Sequence, residues 1–354
     1  MSRLKRIFES TLARAISATL IVSFALSIFL FFDFYERKVN EVIGYYLVYK
    51  GDKAFKKHDL QEAIYYYEKG IVYHPRHYRA MYNLANIYVV YEDYYSALKN
   101  YEKALKVKPD YEIARIDYAI ILSETYKTDE AIEEYKKVIE NIPKFYKIPF
   151  IVDKEKSYYH NKGVAYYNMG VAYRTKSLLA GLDDTISRNY MKEASSSYEK
   201  AVDILNNYNA NYNMALINQL LKNKNQAGYY YCKAMEVGPL EYEAHFNYAI
   251  LLNDLKQYDG AAEEFKKAGM LLDTAGDSNK SRYIYGILSE VNERIAINSD
   301  KEYYKKLAAQ EEKNLNLRYK AGKVVFDAED KKTDSFLEDF KTCAKKELFA
   351  GGKK

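Results

Sequence analysis

Three prolines, Pro75, Pro109 and Pro143, stand 34 residues apart, and the residues between them recur in register. Ala63, Ala97 and Ala131 lie twelve residues before each proline, Tyr67, Tyr101 and Tyr135 eight before, and Gly70, Ala104 and Val138 five before. Gly51, Ala85 and Ala119 hold an earlier small position, twenty-four before. Self-similarity at a fixed period marks stacked supersecondary units, and it constrains the fold more than composition does. Only five prolines occur in 354 residues, which predicts a mostly helical chain because proline interrupts helix interiors.

A 34-residue unit with small residues at positions 8, 20 and 27, an aromatic at 24 and proline at 32 resembles the tetratricopeptide-repeat (TPR) family. The resemblance implies paired antiparallel helices that approach closely where their facing residues are small, with proline ending the second helix. It extends over 44–275, in units at 44–77, 78–111, 112–145, 163–207, 208–241 and 242–275. The fourth carries Gly170, Ala194, Tyr198 and Ala201; the fifth Ala215, Ala227, Tyr231 and Pro239; the sixth Ala249, Ala261, Phe265 and Ala268. About twelve extra residues near 177–188 are expected in the turn of the fourth unit, and 146–162 reads as a linker or extended helix. Within 276–354, Ile284, Ile287, Leu288, Val291 and Ile295 form a stripe suited to capping the array. Ser299 and Glu302 read as a capping box, and Phe336, Leu337, Phe340, Ala344 and Leu348 as a further short amphipathic face. The expected fold is all-α: one N-terminal transmembrane helix, a TPR α-solenoid of about six helix-turn-helix repeats, and C-terminal capping helices.

The membrane helix is read from 15–32, eighteen residues without a charge, about 27 Å long as a helix. Arg3, Lys5, Arg6 and Arg14 precede it, and Asp33 and Glu36 follow at once. That bias predicts a single-pass anchor with 1–14 in the cytoplasm, a connector at 33–43, and the array across the membrane. A run ending Phe-Leu-Phe-Phe offers no small-residue cleavage motif, so an uncleaved anchor is favoured over a signal peptide.

Charge and motifs exclude several classes of chemistry. The net charge of +5 is spread along the chain, which argues against nucleic acid as a partner. No phosphate loop, dinucleotide fingerprint, HExxH or GxSxG occurs, and His74 and His77 read as an ordinary repeat junction. Cys232 and Cys343 can build neither a disulfide framework nor a zinc site, and read as small hydrophobes in helices. The expectation is a chain that is no enzyme and has no catalytic residues, cofactor, metal or small-molecule substrate.

In the TPR family, positions 2, 5, 6, 9, 12 and 13 line the inner face. Here position 5 carries Tyr82, Tyr167, Tyr212 and Phe246, and position 6 carries Asn83, Asn168, Asn213 and Asn247, with Asn86 at position 9. This aromatic track beside a row of amides suits an extended peptide or partner helix, with asparagines bonding its backbone. The carboxylate clamp of chaperone-adaptor TPRs is not reproduced: Val48, Asp52, Ile113 and Asp117, or Tyr167, Val171 and Glu243, stand at its positions. The resemblance therefore implies other proteins as partners, drawn from envelope-complex components, on an array anchored in a bacterial inner membrane and projecting into the periplasm. The expected role is a scaffold for a multiprotein machine, such as the collar of a spirochaete periplasmic flagellar motor. The alternative is an anchored adaptor or chaperone that holds client peptides transiently.

Overall fold

The computed structural model describes residues 16–27, 29, 31–141, 154–181, 185–299 and 341–349. Among them every regular element is helical and no strand occurs. The helices are α1 (Ile16–Ser27), α2 (Phe32–Lys56), α3 (Leu60–Tyr73), α4 (Tyr78–Val90), α5 (Tyr94–Val107), α6 (Glu112–Glu124) and α7 (Thr128–Glu140). They continue with α8 (Lys154–Ala180), α9 (Thr185–Leu205), α10 (Tyr208–Leu220), α11 (Lys224–Val237), α12 (Tyr242–Asp254), α13 (Tyr258–Ala275) and α14 (Ser278–Ser299). The chain forms two compact units, one ending at Thr125 and one beginning at Tyr126.

Within each unit the helices pack as hairpins: α2 on α3 and α4 on α5 in the first, α8 on α9, α10 on α11 and α12 on α13 in the second. The small residues explain the close approach. Ala63, Ala97, Ala131, Ala194, Ala227 and Ala261, all at position 20, are fully buried. The aromatics at position 24, from Tyr67 to Phe265, are buried with them. A Cβ added to Gly51 would stand 2.7 Å from the Tyr67 ring, and one on Gly170 would stand 2.7 Å from the Tyr198 ring. Position 8 is small because the tyrosine of the paired helix lies flat across it.

Five of the turns between helices hold one left-handed residue each. His58, Glu92, Tyr126, Lys222 and Lys256 have φ between 59° and 63°, and all five stand at repeat position 15. At the next position, Asp59 and Asp93 cap α3 and α5, each accepting from a backbone N–H three residues on at 3.0 Å.

Three expectations are refined. The extra residues of the fourth unit do not form a long turn: they lengthen α8 to 27 residues and α9 to 21. Buried Ser177 and Ser187 join the extended ends, their hydroxyls 3.0 Å apart, so a polar pair closes what a loop would have left open. Residues 154–162 belong to α8, and the 33–43 connector lies within α2. Pro143, Glu302, Phe336, Leu337 and Phe340 lie outside the described residues. The stripe on α14 does cap the second unit, with Ile284, Leu288, Val291 and Ile295 buried against the core.

No single helix among the described residues is long and apolar enough to cross a membrane. Helices α1 and α2, bent by 71° at the break between them, meet that test only as a pair, by length and composition.

The cysteines depart from expectation. Cys232 on α11 and Cys343 form a disulfide, their Cα atoms 5.5 Å apart and 111 residues distant in sequence. It fastens 341–349, which ends in a short 3-10 turn (Lys346–Phe349), to the second unit. Only the fold brings the two thiols together, so nothing in their spacing announces the bond.

Candidate peptide groove on the first helices

The first helix of each repeat carries the residues expected to meet a ligand. Eight of the nine are half-buried, and Asn213 is buried. Much of their hydrogen bonding is spent inside the fold. In the first unit the Tyr82 hydroxyl donates to Asp117 Oδ2 at 2.8 Å. In the second, Asn213 Nδ2 donates to the Tyr167 hydroxyl at 3.2 Å and Asn247 Nδ2 to the Tyr212 hydroxyl at 2.8 Å. Each tyrosine at position 5 is thus tied to position 6 of the next repeat. These contacts join successive first helices, a geometry that linear spacing does not show.

Other partners lie in the previous repeat or the same hairpin. Asn83 Nδ2 donates to Asp52 Oδ1 at 3.3 Å, and Asn86 Oδ1 accepts from the Tyr101 hydroxyl at 2.5 Å. Asn168 turns back to the Val164 carbonyl of its own helix, at 3.1 Å. Phe246 has no hydroxyl and packs edge-on against Phe265, ring centroids 5.7 Å apart. Burial pushes the Tyr167 and Tyr212 hydroxyls above the usual phenol range. It also raises Asp117, against the opposing hydrogen bond from Tyr82.

A cleft of about 620 Å³ opens beside these residues in the second unit, walled by Tyr167, Tyr208, Tyr212, Arg174, Leu216 and Glu243. The Tyr208 and Tyr212 rings stack at 5.5 Å, 9° from parallel. Arg174 Nη1 donates to Asn213 Oδ1 at 3.2 Å, but its buried Nε meets no acceptor, and buried Glu243 Oε2 meets no donor. Buried polar atoms are nearly always bonded, so these two are exceptions, and both belong to residues that wall the cleft. The sequence names Glu243 only as a residue that breaks the carboxylate clamp and leaves Arg174 aside, although Arg174 stands at position 12 of its repeat and Glu243 at position 2, both inner-face positions. A charged residue at such a position was the available signal.

The first unit holds a smaller cleft of about 420 Å³, lined in part by Tyr45, Tyr49, Asp52, His74 and His77. Tyr45 covers both histidines at 4.9 and 5.1 Å, and burial lowers the pKa of each ring. The histidine pair therefore serves packing at the first repeat junction.

No family model and no curated protein matches the chain. Among solved structures it is similar to Pseudomonas aeruginosa PilF, at 16% identity over 68% of this chain and 93% of that one, TM-score 0.50. A tetratricopeptide repeat protein from Parabacteroides merdae aligns at 14% identity over 76% and 98%, TM-score 0.45. YrrB, described as a TPR protein with an unusual peptide-binding site, aligns at 16% over 58% and 91%, TM-score 0.41. At such identities a likeness speaks of fold and of nothing further. Helix hairpins in a 34-residue register, each with its small residues and its aromatic buried at the same positions, give this chain the tetratricopeptide-repeat fold.

Proposed function

We propose that the chain is a non-enzymatic scaffold that holds an extended segment of a partner protein along the first helices of its last three repeats. The cleft between Arg174 and Glu243 carries this reading. An extended peptide presents a carbonyl and an N–H at every residue, and the orphaned Nε and Oε2 are the donor and acceptor such a backbone requires. The stacked pair Tyr208 and Tyr212 supplies a flat apolar wall that loses little side-chain entropy on binding. The tyrosines at position 5 act mainly as walls, since their hydroxyls already serve the next repeat.

On the narrower reading, 15–32 anchors the scaffold in a bacterial inner membrane with the array in the periplasm, where it assembles an envelope machine. Anchoring raises local concentration beside membrane partners, so modest contacts suffice. The collar of a periplasmic flagellar motor is one such machine, and composition alone favours it.

The test is crosslinking in native membranes followed by mass spectrometry. Arg174→Gln with Glu243→Gln removes the unpartnered Nε and carboxylate charge at the expense of one half-buried bond, Nη1 to Asn213 Oδ1, so helicity should persist while crosslinked neighbours disappear. Lys136→Ala with Lys137→Ala breaks only exposed ion pairs at 2.8 and 2.6 Å and should lose none. Retention of every neighbour by the first variant overturns the groove.

A further inference from the structure

The second helices of the last two repeats carry features that the repeat pattern does not ask for. Gly228 stands inside α11, where glycine weakens a helix, and Gly260 in the first turn of α13. Glu264 is a fully buried carboxylate on α13, and His245 of α12 is buried against it, Nδ1 to Oε2 at 2.6 Å. All four find a common explanation in the segment 341–349.

A Cβ on Gly228 would stand 2.5 Å from the Phe349 ring, and one on Gly260 would stand 2.9 Å from Lys345 Cγ. The glycines clear a seat. Phe349 is buried in it, edge-on to Tyr248 at 5.8 Å. Ala344 is held at both ends of its backbone: its N–H donates to Glu264 Oε1 at 2.8 Å and its carbonyl accepts from the Tyr248 hydroxyl at 2.7 Å. Lys267 donates to the Thr342 carbonyl at 3.0 Å, and Lys346 pairs with Glu236 at 2.5 Å. The buried carboxylate is thus a backbone acceptor, kept in place by His245 and Lys267. This is a complete recognition site for a short peptide, with a main-chain clamp, a small-residue contact, an aromatic socket and a complementary charge.

We propose that this outer-helix surface is a second docking site, and that its ligand, once the Cys232–Cys343 bond is reduced, is the same segment of another copy of the chain. The proposal does not rest on the first-helix groove. Reduction needs a dithiol: one of its thiolates attacks a cysteine sulfur, and its second thiol resolves the mixed disulfide. The dithiol leaves as a disulfide, and Cys232 and Cys343 take up two electrons and two protons as thiols. The remaining contacts are identical within one chain and between two, which makes exchange of the element inexpensive. Forty-one residues separate Ser299 from Lys341, and no stretch of that length can reach further than about 140 Å. Copies held side by side by the proposed anchor offer the same segment to the same seat. Reoxidation by a small disulfide then fixes whichever partner is seated.

Two full-length chains, Cys343→Ser and a size-tagged Cys232→Ser, are mixed in detergent, equilibrated under dithiothreitol and reoxidised with oxidised glutathione. A mixed dimer is expected on a non-reducing gel, with mass spectrometry joining the Cys232 peptide of one chain to the Cys343 peptide of the other. Phe349→Ala in the tagged chain should lower its yield about tenfold, since a buried aromatic anchor is lost. Gly228→Leu in the other chain should do the same by filling the seat. Arg174→Gln with Glu243→Gln should leave the yield unchanged, which separates this site from the groove. Circular dichroism checks that each variant is folded. No mixed dimer, or one insensitive to Phe349→Ala and Gly228→Leu, overturns the proposal.

Discussion

The five left-handed turn residues carry a cost that can be removed. His58, Glu92, Tyr126, Lys222 and Lys256 adopt φ near 60° without being glycine, and each is exposed, so no packing compensates. For an L-residue that conformation costs roughly 1–2 kcal/mol. Glycine removes the cost but returns about 0.4–1 kcal/mol as entropy to the unfolded chain. The net gain is about 0.5–1 kcal/mol per site by these two terms. The sites are 34 or more residues apart, on separate turns, so the gains should add to roughly 3 kcal/mol or more for all five. With a urea slope of about 2 kcal/mol/M the midpoint would rise by about 1.5 M. Helicity at 222 nm against urea reads it, first for Lys222→Gly and Lys256→Gly singly, then for the set. Lys222→Ala serves as control and should bring no gain, because alanine keeps the steric cost. A midpoint that falls with glycine, as it does in a helix interior, would refute the reasoning.

Other expected outcomes follow from packing, protonation and charge. Ala97→Trp and Ala131→Trp force bulk between paired helices at fully buried positions and should each cost about 1–3 kcal/mol. Glu102→Gln, an exposed acceptor for the Tyr118 hydroxyl at 2.8 Å, should stay within about 0.5 kcal/mol in the same thermal melts. Burial and nearby carboxylates push Tyr88 and Tyr230 up to about 12, so the folded state holds these protons more tightly than the unfolded chain. Their contribution is therefore whole below about pH 10 and is lost as pH rises from there through about 12. Tyr230→Phe should flatten that alkaline loss in pH-dependent urea titrations. A periplasm-reporting phosphatase fused after Lys57 should be active in a bacterial host and inactive when fused at Ser10, with the reverse pattern excluding a periplasmic array.

Repeat register was legible because small residues and aromatics recur at a fixed spacing and their packing role is local to one hairpin. The turn at position 15 was hidden: glycine, the residue that would announce it, stands at none of the five places. Extra length in the fourth unit read as a loop because a count of residues does not say whether they continue a helix. The nine inner-face positions were chosen from the repeat register alone, whereas bonds such as that from Asn247 to Tyr212 run between repeats and depend on how successive hairpins stack. Cys232 and Cys343 illustrate the limit most plainly, since a contact across 111 residues leaves no mark on the local pattern of either.

Helix α2 has a mechanical consequence. It begins at Phe32, twelve residues before the first repeat at Gly44, and those residues contain neither glycine nor proline. They form a rod of about 18 Å with no hinge of its own, so the first hairpin inherits its azimuth from whatever holds the rod's far end. Each residue removed from that stretch lowers the hairpin by about 1.5 Å and swings it by about 100°. Removal of seven returns it to within about 20° of its original bearing, some 10 Å lower. Length and heading are thereby coupled, and a chain shortened by one or two residues points its repeats elsewhere without altering a single contact inside them.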